Sequence, residues 1–180
     1  MSLLLRMLKV LWLALWARRL DPLGASVIHV RVWPNDLDIN LHMNNGRYLT
    51  VMDLGRLDLM SRTGLGRVML GRRWRPIVAS ATLRFRRPLR LFETYELRSQ
   101  VAGWDEKWIW IEQRFERAGE LIALGAVKAL LQGQGGNVAT AEVLAVLGVA
   151  NASPALPAWL AAWRDAEAAT GSRSAISVVN

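Results

Sequence analysis

Apolar and polar positions along the chain change period several times, and each change marks an element. From Ser26 to Trp33 they alternate, with Ile28, Val30 and Val32 on one side and His29 and Arg31 on the other. That is the pattern of a half-buried strand, and Pro34 ends it. From about Asn44 to about Arg62 the spacing becomes helical: Tyr48, Met52, Gly55 and Leu59 share a face, and Asn44 suits the N-cap. Gly55 in mid-helix costs about 1 kcal/mol relative to Ala, which a close approach of another backbone would explain. Gly64 and Gly66 close the helix. The period then returns to two. Strands are expected over Pro76–Phe85, stopped by Arg87-Pro88, and over Glu93–Trp104 and Lys107–Arg117. Arg117-Ala118-Gly119-Glu120 reads as a hairpin turn, and Leu121–Leu131 as a nearly unbroken apolar strand near the centre of a sheet. Gln132–Gly136 reads as a flexible break. Helices follow at Thr140–Leu147 and from Pro157 to about Ala169, with Trp159, Leu160 and Trp163 on one face of the second. The last ten residues read as loose. One long helix followed by hairpin-linked strands predicts an α+β domain, its helix laid across an antiparallel sheet.

The first twenty residues form a separate apolar segment, broken by Arg6 and Lys9 and followed by Arg18-Arg19. Its uninterrupted run, Val10–Ala17, is well short of the ~20 residues a spanning helix needs. No small-residue cleavage site follows it, which argues against a cleaved leader. Two readings stay open: an interfacial helix with Trp12 and Trp16 at a lipid boundary and its Arg and Lys reaching headgroups, or a helix packed on the domain or on a second subunit. The chain thus divides into 1–24, a central domain over 25–132 and a helical extension over 133–180.

Composition narrows the chemistry. The 180 residues are 52% hydrophobic, enough for one sizeable core, and the formal charge is +8. There is no cysteine and there are two histidines, so a thiol nucleophile, disulfides and a Cys- or His-rich metal site are excluded, and neither metal nor cofactor is expected. Arginine outnumbers lysine 20 to 3, with eight arginines from Arg72 to Arg98. Such a stretch is either a solvated basic face or a site for phosphates or an anionic surface. No nucleic-acid motif accompanies the charge, so nucleic acid is not an expected partner.

The densest chemistry lies between the first strand and the long helix, where Asp36, Asp38, Asn40, His42, Asn44, Asn45 and Tyr48 fall together. A helix N-terminus offers unpaired N–H groups and a partial positive charge, which polarise a carbonyl oxygen placed there. An Asp or His just before it can act as base or nucleophile. The same residues, taken singly, also suit a capped turn, and Tyr48 and Met52 suit a core.

Asp36-Leu37-Asp38-Ile39-Asn40-Leu41-His42-Met43-Asn44-Asn45-Gly46-Arg47-Tyr48 resembles the D-x-D-x-N-x-H-x-N-N-x-x-Y signature of hotdog-fold acyl thioesterases. The form is closest to the acyl-ACP thioesterases and the 4-hydroxybenzoyl-CoA-thioesterase-like group. Leu83–Glu93, with its Arg-Pro-Leu turn, resembles a second landmark of that group. The resemblance spans about Val27–Leu131 and implies a sheet wrapped around one long helix, with additional helices at either end. It also implies a homodimer or homotetramer with sites formed between subunits, acyl-CoA or acyl-ACP as substrate, and a cytoplasmic location or one peripheral at a membrane. Position by position it makes Asp38 the nucleophile or base, with Asn40 and His42 assisting. The Asn45 N–H would face the thioester carbonyl, and Asp53 would be structural. Asn44, Tyr48, Arg84, Arg86 and Arg87 are the expected substrate-binding residues, the arginines for phosphates. Trp33-Pro34-Asn35 and the Arg72–Arg75 segment depart from the family pattern. The acyl-ACP enzymes carry a second hotdog repeat that this sequence lacks, so a partner subunit would have to complete the site. A non-catalytic acyl-thioester- or lipid-binding protein and a membrane-surface scaffold are the alternatives.

Overall fold

A computed structural model describes residues 2–150 and 152–174, the last four by backbone alone. The elements run α1 (Leu3–Trp16), β1 (Ser26–Arg31), α2 (Asn45–Arg62), α3 (Leu65–Arg72), β2 (Arg75–Phe85), β3 (Thr94–Trp104), β4 (Ile109–Arg117), β5 (Glu120–Gly133), β6 (Gly136–Val138), α4 (Thr140–Leu147) and α5 (Ala158–Ser174). The strands form one antiparallel sheet in the order β1-β3-β4-β5-β2, with β6 against β5 where β4 has ended. The sheet curls around α2, which is the expected α+β hotdog architecture.

α2 forms where its pattern placed it. Asn44 caps it, the side-chain oxygen accepting from the Gly46 N–H at 2.8 Å. Its buried face carries Tyr48, Val51, Met52, Leu54 and Leu59, packed on Leu97, Phe115 and Ile122 of the sheet. Burying a Leu or Phe side chain contributes ~1.5–3 kcal/mol, so this face is what holds the helix in place. At Gly55 a Cβ would stand 2.8 Å from Leu97 Cδ2 and 2.9 Å from Gln113 Nε2. The close approach is therefore to side chains of β3 and β4, not to another backbone. Gln113 is fully buried. It donates to Met52 O at 2.9 Å and to Ser99 Oγ at 2.8 Å, and accepts from Arg56 at 2.8 Å.

The other face of the sheet is covered by α5, where Leu160 packs on Trp110 and Ala126 and Trp159 donates to Glu112 at 3.0 Å. Two expectations need correction. Gly64, at φ +84°, ends α2 but the chain restarts at once as α3, which buries Met69 against Trp74, Leu131 and Val143. The expected flexible break at Gln132–Gly136 is instead a turn from β5 into β6, with Gly136 at φ +113°. Of the last ten residues, expected to be loose, 171–174 continue α5 and 175–180 lie outside the described residues. β1 and β2 are the edges of the sheet, and β2 is exposed along nearly its whole length, Ile77, Val78 and Phe85 included.

α1 packs on α2 through Val10, with Leu3 and Met7 beside it. Arg6, which the interfacial reading alone would send toward headgroups, is turned inward and 5% exposed, as a helix packed on the domain requires. Its guanidinium donates to Asp36, itself 2% exposed.

Candidate active site

The segment between β1 and α2 folds as a miniature hairpin. Leu37 pairs with Met43, the Asp38 N–H donates to His42 O at 2.9 Å, and the Leu41 N–H donates back to Asp38 O at 3.1 Å. This is a three-residue loop with its last residue left-handed: Leu41 has φ +58° where glycine is usual. Strain of that kind persists only where surrounding bonds over-determine it. They do so here, since the Met43 N–H donates to Leu89 O and the Asn44 N–H to Asp36 O, both at 2.8 Å. His42 also bridges to Arg90, so the Arg-Pro-Leu turn is fastened to the loop.

Asp36 is the loop's anchor. Besides Arg6, it accepts from the Trp33 N–H at 2.9 Å, and Arg47 lies 3.9 Å away. Asp38 is half-buried at the base of the loop, and its carboxylate accepts from the Asn40 N–H at 2.8 Å. His42 is half-buried, and its ring has no hydrogen-bond partner among the described residues. Asn40 is exposed at the loop tip and meets Asp38 through its backbone alone. Asn45 is exposed at the first position of α2, where a backbone N–H has no acceptor within the helix. The structure thus brings Asp38, His42 and the helix N-terminus into one tight segment, with no side-chain bond between Asp38 and His42.

Of the expected substrate-binding residues, Asn44 spends its side-chain oxygen on the cap. Tyr48 is buried, its ring 5.0 Å from those of Phe85 and Phe115, and burial pushes its phenol up to about 12 against a backbone hydrogen bond at Leu89. It is a core residue that ties the start of α2 to the end of β2. Arg84 and Arg86 are exposed without ion-pair partners among the described residues, whereas Arg87 is paired with Glu120. Asp53 pairs with Arg56, whose guanidinium burial lowers its pKa. Among the described residues no cluster of three His, Asp or Glu could hold a metal ion.

A cavity of about 270 Å³ lies beside the second half of α2, with Leu57, Met60, Val101, Ile111, Leu130 and Leu144 in its wall and Asp53 and Arg56 among its few polar groups. None of residues 36–45 lines it. Sequence reasoning missed this cavity, the Arg6–Asp36 pair and the Gln113 network. The one available signal for Arg6 was a charge inside an apolar run, which Lys9 shares.

The family model described as the thioesterase-like superfamily matches residues 32–164. The chain belongs to that superfamily. It is 44% identical over 84 residues to protein THEM6 of Xenopus laevis, 47% of this chain and 41% of that one. It is 28% identical over 107 residues to thioesterase poxG of Penicillium oxalicum, 52% of this chain and 35% of that one. The matched stretch thus spans less than half the length of each relative. The crystal structure of YbaW, a probable thioesterase of Escherichia coli, superposes with a TM-score of 0.62 at 20% identity, over 66% of this chain and 93% of that one. That likeness is one of fold.

Proposed function

We propose that the protein hydrolyses acyl-CoA thioesters, with Asp38 as the group that activates water or attacks the carbonyl. The observation that carries this reading is the hairpin of Leu37–Met43, which locks a half-buried carboxylate immediately before the N-terminus of an 18-residue helix. Thioester hydrolysis needs a base or nucleophile near the carbonyl carbon and a donor for the developing oxyanion. Asp38 supplies the first and the Asn45 N–H the second, helped by the positive end of the helix. His42 assists proton transfer to the leaving thiolate, and Asn40 orients the water from the loop tip.

CoA is favoured as the carrier because Arg84 and Arg86, unpaired among the described residues, stand on the strand end and turn that are bonded to the loop at Leu89 and Arg90. The apolar cavity beside Leu57 and Met60 supports an acyl chain as the rest of the substrate. From Asn45 to Asp53, at the near end of that cavity, is eight residues of helix, or ~12 Å, so long acyl chains fit this reading better than short ones. The bare β2 edge lies beside the loop through the Tyr48–Phe85 contact, and a second copy paired along it would complete the site.

Thiol release from purified protein, over acyl-CoAs of increasing chain length and then acyl-ACPs, tests the proposal. Turnover that rises with chain length is expected. Binding without turnover on every ester would leave an acyl-thioester-binding protein instead.

A further inference from the structure

α1 is apolar on both sides, and only one is used. Val10 and Arg6 face the domain, while Leu4, Leu8, Leu11 and Leu15 form a row on the opposite side, flanked by Trp12 and Trp16. All six are exposed, Leu15 and Trp16 by 80% and 79%. The helix cannot roll to hide them. Arg6 is held by the buried Asp36, and the segment just after the helix is held by α2, since Arg62 donates to Arg18 O at 3.2 Å and the Leu20 N–H donates to Arg62 O at 3.1 Å. An exposed contiguous apolar face of this kind marks an interaction surface.

The charges around it choose the partner. Lys9 borders the tryptophan edge, and Arg18 and Arg19 follow the helix end, all three exposed. No acidic residue precedes Asp21. A second copy presenting the same face would bring like charges and no carboxylate to meet them. A surface that is apolar beneath and anionic above meets every feature: leucines inside, tryptophans at the boundary, cations at the headgroups. The helix is 14 residues long, about 21 Å, against a hydrocarbon core of ~30 Å. No helix among the described residues is long and apolar enough to cross a membrane.

We infer that α1 docks in the plane of an anionic lipid bilayer by its outer face, carrying the domain on the membrane surface. The inference does not depend on hydrolysis, because its test reads binding. The full chain is sedimented with vesicles of phosphatidylcholine, with and without phosphatidylglycerol, at low and high salt. Binding that needs phosphatidylglycerol and weakens with salt is expected. The variant Leu8→Glu/Trp12→Glu, both positions exposed, should retain its melting temperature and lose binding about tenfold or more, as binding scales with apolar area inserted. Arg18→Glu/Arg19→Glu should lose it on phosphatidylglycerol vesicles too. Three results would overturn the inference: no binding to either vesicle, equal salt-insensitive binding to both, or a measured molar mass that halves in Leu8→Glu/Trp12→Glu without vesicle binding by the parent. The last would assign the face to a second copy.

Discussion

The buried pair between Arg6 and Asp36 joins α1 to the loop that precedes α2, and separating its partners is the most informative perturbation of the fold. Both side chains are removed from water, at 5% and 2% residue exposure. Removing one partner of such a pair strands the other charge, at a cost of about 3–5 kcal/mol. Arg6→Met preserves the apolar stem and leaves Asp36 with the Trp33 N–H at 2.9 Å and Arg47 at 3.9 Å. Its cost should fall near the lower limit, ~3 kcal/mol. Asp36→Asn strands a guanidinium whose Nε already has no partner among the described residues, and should cost ~4–5 kcal/mol. Arg6→Met/Asp36→Asn removes both charges while keeping an acceptor for the Trp33 N–H. It should cost ~4–5 kcal/mol, no more than Asp36→Asn alone and well short of the two single losses added together, a coupling energy of ~3 kcal/mol. Urea unfolding followed by circular dichroism on all four proteins closes the cycle, and equal m-values would show that the comparison is fair. Single variants within roughly 1 kcal/mol of the parent, or a double variant whose loss is the sum of the singles, would refute the reasoning.

Other features of the fold make narrower predictions. Gly55→Ala gains about 1 kcal/mol of helix propensity but presses on Leu97 and Gln113, so a net loss of ~1–2 kcal/mol should appear as a lowered melting temperature. The Tyr95 hydroxyl is buried without a partner among the described residues, and burial drives its phenol far up. Tyr95→Phe should therefore raise unfolding free energy by ~1 kcal/mol, and a loss of that size would mean that the hydroxyl is bonded. At Glu93, burial is outweighed by the Arg90 N–H at 2.8 Å and Arg117 at 2.6 Å, which hold the carboxyl below its ordinary value of 4.5. Its stabilisation is complete above that pH and is lost as pH falls through the lower folded value. Stability measured against pH should show this acid-side loss, and Glu93→Gln should flatten it.

The parts legible in the sequence are those with a local cause. The Asn44 cap, the alternation of Tyr95, Leu97 and Ser99, and the turn at Ala118-Gly119 each depend on neighbours a few residues away, and each stands where it was expected. α3 was hidden because Gly64 ends one helix and admits another, and only the burial of Met69 against Trp74 and Val143 shows that the chain turns back inward. Arg6 and Asp36 are 30 residues apart, and no periodicity records such a pair. The cavity is bounded by pieces of α2, β3, β4, β5 and α4, so it exists only after they assemble. Within the site the order of residues was readable. The strained turn at Leu41 and the absence of a side-chain bond between Asp38 and His42 were not, because both follow from backbone closure.

Asp38→Asn tests the central claim most directly. Asparagine can still accept the Asn40 N–H that Asp38 accepts at 2.8 Å, so the loop is kept while the charge is removed. On an acyl-CoA that the parent hydrolyses, kcat/KM should fall by about 10²–10⁴, with the melting temperature unchanged. A variant that retains its rate within a few-fold would remove Asp38 from the mechanism and contradict the account.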